Sequence, residues 1–176
     1  MKEIRLITKL HKKTKRNYIQ RMLNEKINCM KVSKKYGKDY WDGDRKYGYG
    51  GYKFIPGRWS GVAQNLIRRY KLNNNSKILD VGCGKGYLLY EIKKILPLIS
   101  IKGFDISKYA IDNAPKDLKK DLFVADVKKK IKFKKNFFDL VISIGCFHNL
   151  EIFAIKNSLS EINRVGKKKF ILVESY

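Results

Sequence analysis

The twelve residues ILDVGCGKGYLL (78–89) constrain this chain more than any other stretch. A short apolar run ends on an acid, Asp80. Glycines follow at alternate positions, Gly82, Gly84 and Gly86. Apolar residues then recur at Leu88, Leu89, Ile92, Ile95 and Leu96, which is helical spacing. A buried strand running through a glycine turn into a helix is the opening of a βαβ unit. Glycines in such a turn let the backbone approach a ligand closely, where a Cβ would collide.

The rest of the chain from Ser76 onward keeps that rhythm. KILDV (77–81) predicts strand one, and YLLYEIKKIL (87–96) predicts a helix stopped by Pro97. SIKGFDI (100–106), LFVAD (122–126), FFDLVISIG (137–145) and KFILVES (169–175) predict four further strands. A short helix from Lys108 to Ala114 ends at Pro115. Asn149 is expected to cap a helix over 150–164 that places Ile152, Ile155, Leu159 and Ile162 on one face, with Gly166 ending it. Strands alternating with helices predict an α/β fold: a doubly wound, Rossmann-like parallel sheet in order 3-2-1-4-5. Before residue 76, GVAQNLIRRYKL (61–72) reads as a helix. Residues 2–35 are basic and mostly helical in propensity, broken at Gly37. No repeat and no Pro/Ser linker divides the chain. One compact unit is expected, with residues 1–60 as a basic helical arm and aromatic, Gly-rich lid and residues 61–176 as the α/β domain.

Asp80, Gly82, Gly84 and Gly86 spell DxGxGxG directly after a strand. In this the chain resembles the class I S-adenosylmethionine-dependent methyltransferases, whose first motif is among their most specific signatures. The resemblance covers residues 60–176, and FDLVIS (138–143) is similar to the family's fourth-strand motif. A Rossmann dehydrogenase would instead carry GxGxxG, with an apolar residue where Asp80 stands. The resemblance implies S-adenosyl-L-methionine as cofactor. The Asp80 carboxylate would pin the glycine loop and attract the cofactor's ammonium. Cys83 would pack as a small side chain around the cofactor. Asp105 would hold two ribose hydroxyls, Ile106 would cover one adenine face, Asp126 would accept from the adenine amine, and the Val127 backbone would donate to the ring. Ile144, closing strand four, completes the expected cofactor site. Family members commonly have seven strands, whereas five are legible here. Strand five is therefore expected either as the end of a short form or as an edge that a partner covers, such as a second copy in a homodimer.

Chemistry beyond the cofactor falls on two segments. His148 follows strand four and is the candidate general base; its structural alternative is a histidine that caps the next helix beside Asn149. Cys83 and Cys146 are expected to face each other across strands 1 and 4. The tract DGDRKYGYGGYKFIPGRW (42–59) interleaves aromatics with glycines. It is read as a substrate lid in which Tyr49, Tyr52 and Trp59 stack on the acceptor while Arg45 and Arg58 reach an anionic group. The alternative is an arm that only props up the fold.

Charge sets the competing reading. The formal net charge is +24, but its cations are 32 Lys against only 8 Arg. Lys, Asn and Ile are plentiful together, as AT-rich coding would produce. Dedicated phosphate and base readout leans on Arg. The ISIGCFHNL segment lacks the N/D-P-P-Y signature of enzymes that methylate adenine amines in nucleic acid. Three cysteines without a CxxC pair point to a reducing, cytoplasmic setting and away from a disulfide framework or a metal site. No apolar run approaches the roughly eighteen residues of a membrane span. The sequence thus predicts a methyltransferase acting on a small-molecule or sugar-like acceptor. Two alternatives stand beside it: an RNA-binding or RNA-modifying enzyme, and a shortened remnant that binds cofactor without turnover.

Overall fold

The structure is a computed structural model and describes residues 6, 7 and 26–173. The helical expectation for residues 2–35 therefore falls largely outside the described residues, as does the end of the expected fifth strand at 174–175. The described elements begin with helices α1 (Lys26–Ser33), α2 (Lys38–Asp42) and α3 (Ser60–Tyr70). They continue through β1 (Lys77–Val81), α4 (Tyr87–Ile95), β2 (Ser100–Asp105), α5 (Lys108–Asp112) and β3 (Leu122–Val124). They close with β4 (Phe138–Ile144), α6 (Ile152–Val165) and β5 (Gly166–Leu172). Short 3-10 turns precede β3 and follow β4.

All five strands pair in parallel, in the order β3-β2-β1-β4-β5. The period-2 alternation of the central strands explains why both faces are covered. Ile78, Leu140 and Ile142 enter one core with Leu66 of α3 and Leu89 and Ile92 of α4. Their neighbours Leu79, Val81 and Val141 enter a second core with Phe104, Phe138 and Ile162 of α6. Val62, Ala63 and Leu66 put the apolar stripe of α3 wholly inside. Burying Leu66 alone is worth about 2 kcal/mol.

Three boundaries differ from the sequence reading. β3 stops at Val124, so Asp126 lies in the loop beyond it. β5 starts at Gly166 rather than Lys169, because that glycine takes an extended backbone (φ −111°, ψ 134°) and passes directly from helix to strand. Asn149 does not cap α6. It belongs to a 3-10 turn closed by Asn149 N–H to Cys146 O (3.1 Å) and Leu150 N–H to Phe147 O (3.1 Å). Phe147, 1% exposed, anchors that turn in the core, and the helix starts only after Glu151. β5 forms one edge of the sheet. Among the described residues no helix is long and apolar enough to cross a membrane.

Candidate active site

The carboxyl ends of β1 to β4 and the segment carrying α1 and α2 enclose a cavity of about 400 Å³, a common size for a small-molecule site. Crossover connections put every strand's C-terminal loop on the same edge of a parallel sheet, so the acids that close these strands converge there. Gly82, Asp105, Ile106, Asp126, Val127 and Ile144 all line this cavity, with Cys146 and His148.

The glycine loop owes its shape to close approach. Gly82 has φ +76°, and a Cβ there would meet Cys146 Cβ at 2.6 Å and Sγ at 2.7 Å. Gly84 has φ +56°, and a Cβ there would strike the Trp41 ring at 2.8 Å. Gly86 opens α4 and packs against Leu118 and Leu122, away from the cavity. Cys83 is buried beside Gly103 of β2, whereas Cys146 lies on Gly82. Cys83 thus packs on a glycine of β2, and Cys146 on the first glycine of the loop after β1. Burial, reinforced by Asp105 and Asp80, pushes the Cys146 thiol up to about 12. It stays protonated at neutral pH and is unsuited to act as a nucleophile.

The loop is pinned by Asp105 rather than by Asp80. Asp105 Oδ2 accepts from Gly84 N–H (2.9 Å), and Oδ1 accepts from Ser107 N–H (2.8 Å). These bonds orient the carboxylate and leave it acceptor capacity for ligand hydroxyls. Burial raises its pKa, and the N–H groups of Ser107, Gly84 and Ile106 oppose that rise. Asp80 sits deeper, near the C-terminal end of β1 opposite Gly103 of β2 and Ile142 of β4, and is not among the cavity-lining residues. Burial first, and the Asp105 charge second, push it up to about 7. Asp126 Oδ1 accepts from Lys128 N–H (2.9 Å), which closes its turn. Val127 fixes that turn to the core, and its carbonyl accepts from Ser158 of α6 (3.1 Å).

The aromatic segment lies on the glycine loop, with its elements arranged differently from the sequence reading. Tyr49 lines the cavity and stacks on Trp41 at 5.1 Å and 7°. The rest of that cavity wall is Lys34, Tyr36, Tyr40 and Trp41. Tyr52 packs beneath it on Tyr87 of α4, at 5.2 Å and 21°. Trp59 packs against the α3–α4 core and immediately precedes α3. Arg45 is exposed and donates to Gly48 O. Arg58 closes a turn through its N–H to Ile55 O (3.1 Å). Arg45, Tyr52, Arg58 and Trp59 are therefore not among the cavity-lining residues. His148 stands exposed at the cavity mouth on the 3-10 turn.

Sequence reasoning missed Tyr36, Tyr40 and Trp41. Their signal was the aromatic cluster just ahead of the tract: Tyr40 and Trp41 lie on the short helix α2, and Tyr36 precedes it. Lys85 and Asp42 were missed as well. Lys85 Nζ lies 2.6 Å from Asp42 Oδ2, with only 5% of its side chain exposed.

A family model for a methyltransferase domain matches residues 78–169, slightly more than half of the chain. A malonyl-[acyl-carrier protein] O-methyltransferase from Bacillus anthracis is 27% identical over 88 residues, covering 49% of this chain and 32% of that protein. A solved S-adenosyl-L-methionine-dependent methyltransferase from Methanococcus maripaludis is 26% identical with a TM-score of 0.56, over 64% of this chain and 54% of that one. A TehB-like methyltransferase from Corynebacterium glutamicum is 27% identical with a TM-score of 0.51, over 58% and 55%. The chain thus spans about a third of the curated relative and about half of each solved chain. The matched segment holds the glycine loop, all five strands up to Lys169 of β5 and every acid at the cavity, and on that basis the chain belongs to the methyltransferase-domain family.

Proposed function

We propose that the chain binds S-adenosyl-L-methionine in the cavity and transfers its methyl group to a small, flat or sugar-like acceptor. The observation that carries this reading is the convergence on one cavity of a glycine loop that admits no Cβ, an oriented Asp105 and an aromatic wall. The donor set fits the cofactor. Asp105 suits vicinal hydroxyls, Ile106 and Val127 suit the two sides of a flat base, and Asp80 and Asp105 suit a cationic ligand. When bound, the cofactor supplies an electrophilic methyl group on a sulfonium. The protein's part is to exclude water with Tyr36, Tyr40, Trp41 and Tyr49 and to hold the acceptor in line. His148 at the mouth is the proposed proton acceptor for a hydroxyl or ammonium nucleophile.

Lys34 and Lys128, rather than Arg45 and Arg58, are the cationic side chains at the cavity. They favour an acceptor that carries a carboxylate or phosphate. The Bacillus anthracis relative is named for O-methylation of malonyl-[acyl-carrier protein], so carboxylic acids belong first in the acceptor screen. Calorimetry with S-adenosyl-L-methionine tests the cofactor half, and Asp105→Ala should abolish the heat. Wild-type protein that gives no heat, or a variant of unchanged affinity, overturns the reading. Labelled methyl transfer to acids and sugars tests the acceptor half. Transfer to RNA with a steep salt dependence would favour the basic-surface alternative instead. Binding without transfer to any acceptor would favour the remnant. Self-association through the β5 edge is a further proposal, and a monomeric mass in solution would end it.

A further inference from the structure

Asp42 connects three parts of the molecule that are distant in sequence. Its Oδ1 accepts from Tyr52 N–H (2.9 Å) and from Lys85 Nζ (2.9 Å). Its Oδ2 accepts from Lys85 Nζ (2.6 Å) and from the Tyr109 hydroxyl (2.8 Å). Lys85 stands between Gly84 and Gly86, inside the glycine loop, and also donates to Tyr52 O (2.8 Å). Tyr109 belongs to α5, the helix that follows Asp105. One carboxylate thereby fastens the aromatic segment to the glycine loop and to α5. A second set of bonds reinforces the seam. Trp41 Nε1 donates to Ser107 Oγ (2.8 Å) and to Tyr36 O (3.1 Å), and the Ser107 hydroxyl also donates to Tyr36 O. The same Trp41 ring roofs Gly84.

A lysine buried to this degree is held by its partners. Taking an ammonium out of water is costly unless a carboxylate and further acceptors replace the lost hydration. Lys85 has both, and both come from the aromatic segment. If that segment lifts away, Lys85 loses its counter-charge and Trp41 uncovers Gly84 in the same movement. The segment's docking and the shape of the glycine loop therefore depend on each other.

Resting on the proposed cofactor reading, we propose that Asp42 is a positioning residue of the cofactor site: its carboxylate latches the aromatic segment onto the glycine loop through Lys85 and onto α5 through Tyr109, so that cofactor occupancy and closure of the segment are one coupled event. The cofactor is held beneath the segment and leaves only as it opens.

The test pairs binding with cleavage of the segment. Trypsin cutting at Lys46, Lys53 or Arg58 reports opening, and S-adenosylhomocysteine is the probe ligand. Wild-type protein should bind the probe, and saturation should slow cleavage in 46–58 at least fivefold. Asp42→Asn should bind at least tenfold more weakly, release the probe faster and show less than half of that protection, with Asp42→Glu partly restoring both. Tyr109→Phe removes one tether without unpairing a charge, so it should fold normally and weaken binding two- to threefold. Lys85→Met in the Asp42→Asn background should add little further loss. No probe binding by the wild type would count against the cofactor reading itself. Probe binding that leaves the cleavage rate unchanged would overturn the latch. So would Asp42→Asn and Tyr109→Phe that keep wild-type affinity and protection.

Discussion

Asp80→Asn should make the protein more stable and a poorer binder at once. The substitution keeps the shape of the side chain and removes its charge. In the fold the Asp80 carboxyl is pushed up to about 7 from an ordinary 3.8, by burial and by Asp105. Each unit is about 1.4 kcal/mol, so the ionised form costs the fold on the order of 4 kcal/mol. The sign follows from the raised folded value. The group costs nothing below pH 4. Its cost grows as pH rises from 4 to 7, and above 7 it is constant. Asp80→Asn should therefore unfold at higher urea than wild type at pH 8, by about 2–4 kcal/mol, and the difference should vanish near pH 4. Affinity for S-adenosyl-L-methionine should move the other way, because the ligand is cationic and loses the field of a buried carboxylate. A tenfold or greater loss is expected at pH 8. Wild-type affinity should itself rise from pH 6 to pH 8 as Asp80 ionises. Urea titrations from pH 4 to 9 and calorimetry at three pH values check both halves. A variant less stable than wild type at pH 8, or one whose difference from wild type is the same at every pH, would refute the buried-charge reasoning.

Further outcomes follow from the same geometry. Gly84→Ala should weaken cofactor binding at least tenfold and lower the melting temperature, because the added Cβ meets the Trp41 ring at 2.8 Å on a φ of +56°. Trp41→Ala in that background should recover part of the loss, as differential scanning fluorimetry would show. Arg164→Ala removes donors to Phe133 O and Ile131 O, both at 2.7 Å, and the partner that holds Glu161 down at about 2. It should cost about 1–2 kcal/mol and speed hydrogen exchange over 127–135, the loop that carries Val127. His148→Ala should lower turnover about a hundredfold with S-adenosyl-L-methionine affinity within twofold of wild type, measured on whichever acceptor a screen supplies.

The sheet was legible because periodicity and punctuation determine it. Ile78 and Leu79 are adjacent and both fully buried, which requires a strand covered on both faces. The alternate glycines, together with an acid at the end of β2, then position the cavity. The element ends were less legible where a tertiary contact overrides local preference. Phe147 is drawn into the core and forces a 3-10 turn where Asn149 had suggested a helix cap. Gly166 passes straight into β5 because its extended backbone lets the strand pair with Phe138 from the first residue.

The site's outer wall was legible only as composition. A tract rich in tyrosine and glycine announces stacking surfaces, but not which ring faces the cavity. That depends on the path of the chain across the loop, and the path is fixed by single polar contacts. Asp42 and Lys85 are 43 positions apart, and each has the residue type of an ordinary surface charge. No spacing rule pairs them. The fact that sets them apart is burial, since a lysine side chain 5% exposed within a glycine loop must be neutralised by something that covers it. The covering segment brings Trp41 with Asp42, and so the aromatic wall sits where it does because of a charge pair. Substituting exposed tract residues such as Arg45 should accordingly leave the wall in place, while neutralising Asp42 should displace it, a contrast that Trp41 fluorescence in the two variants would report.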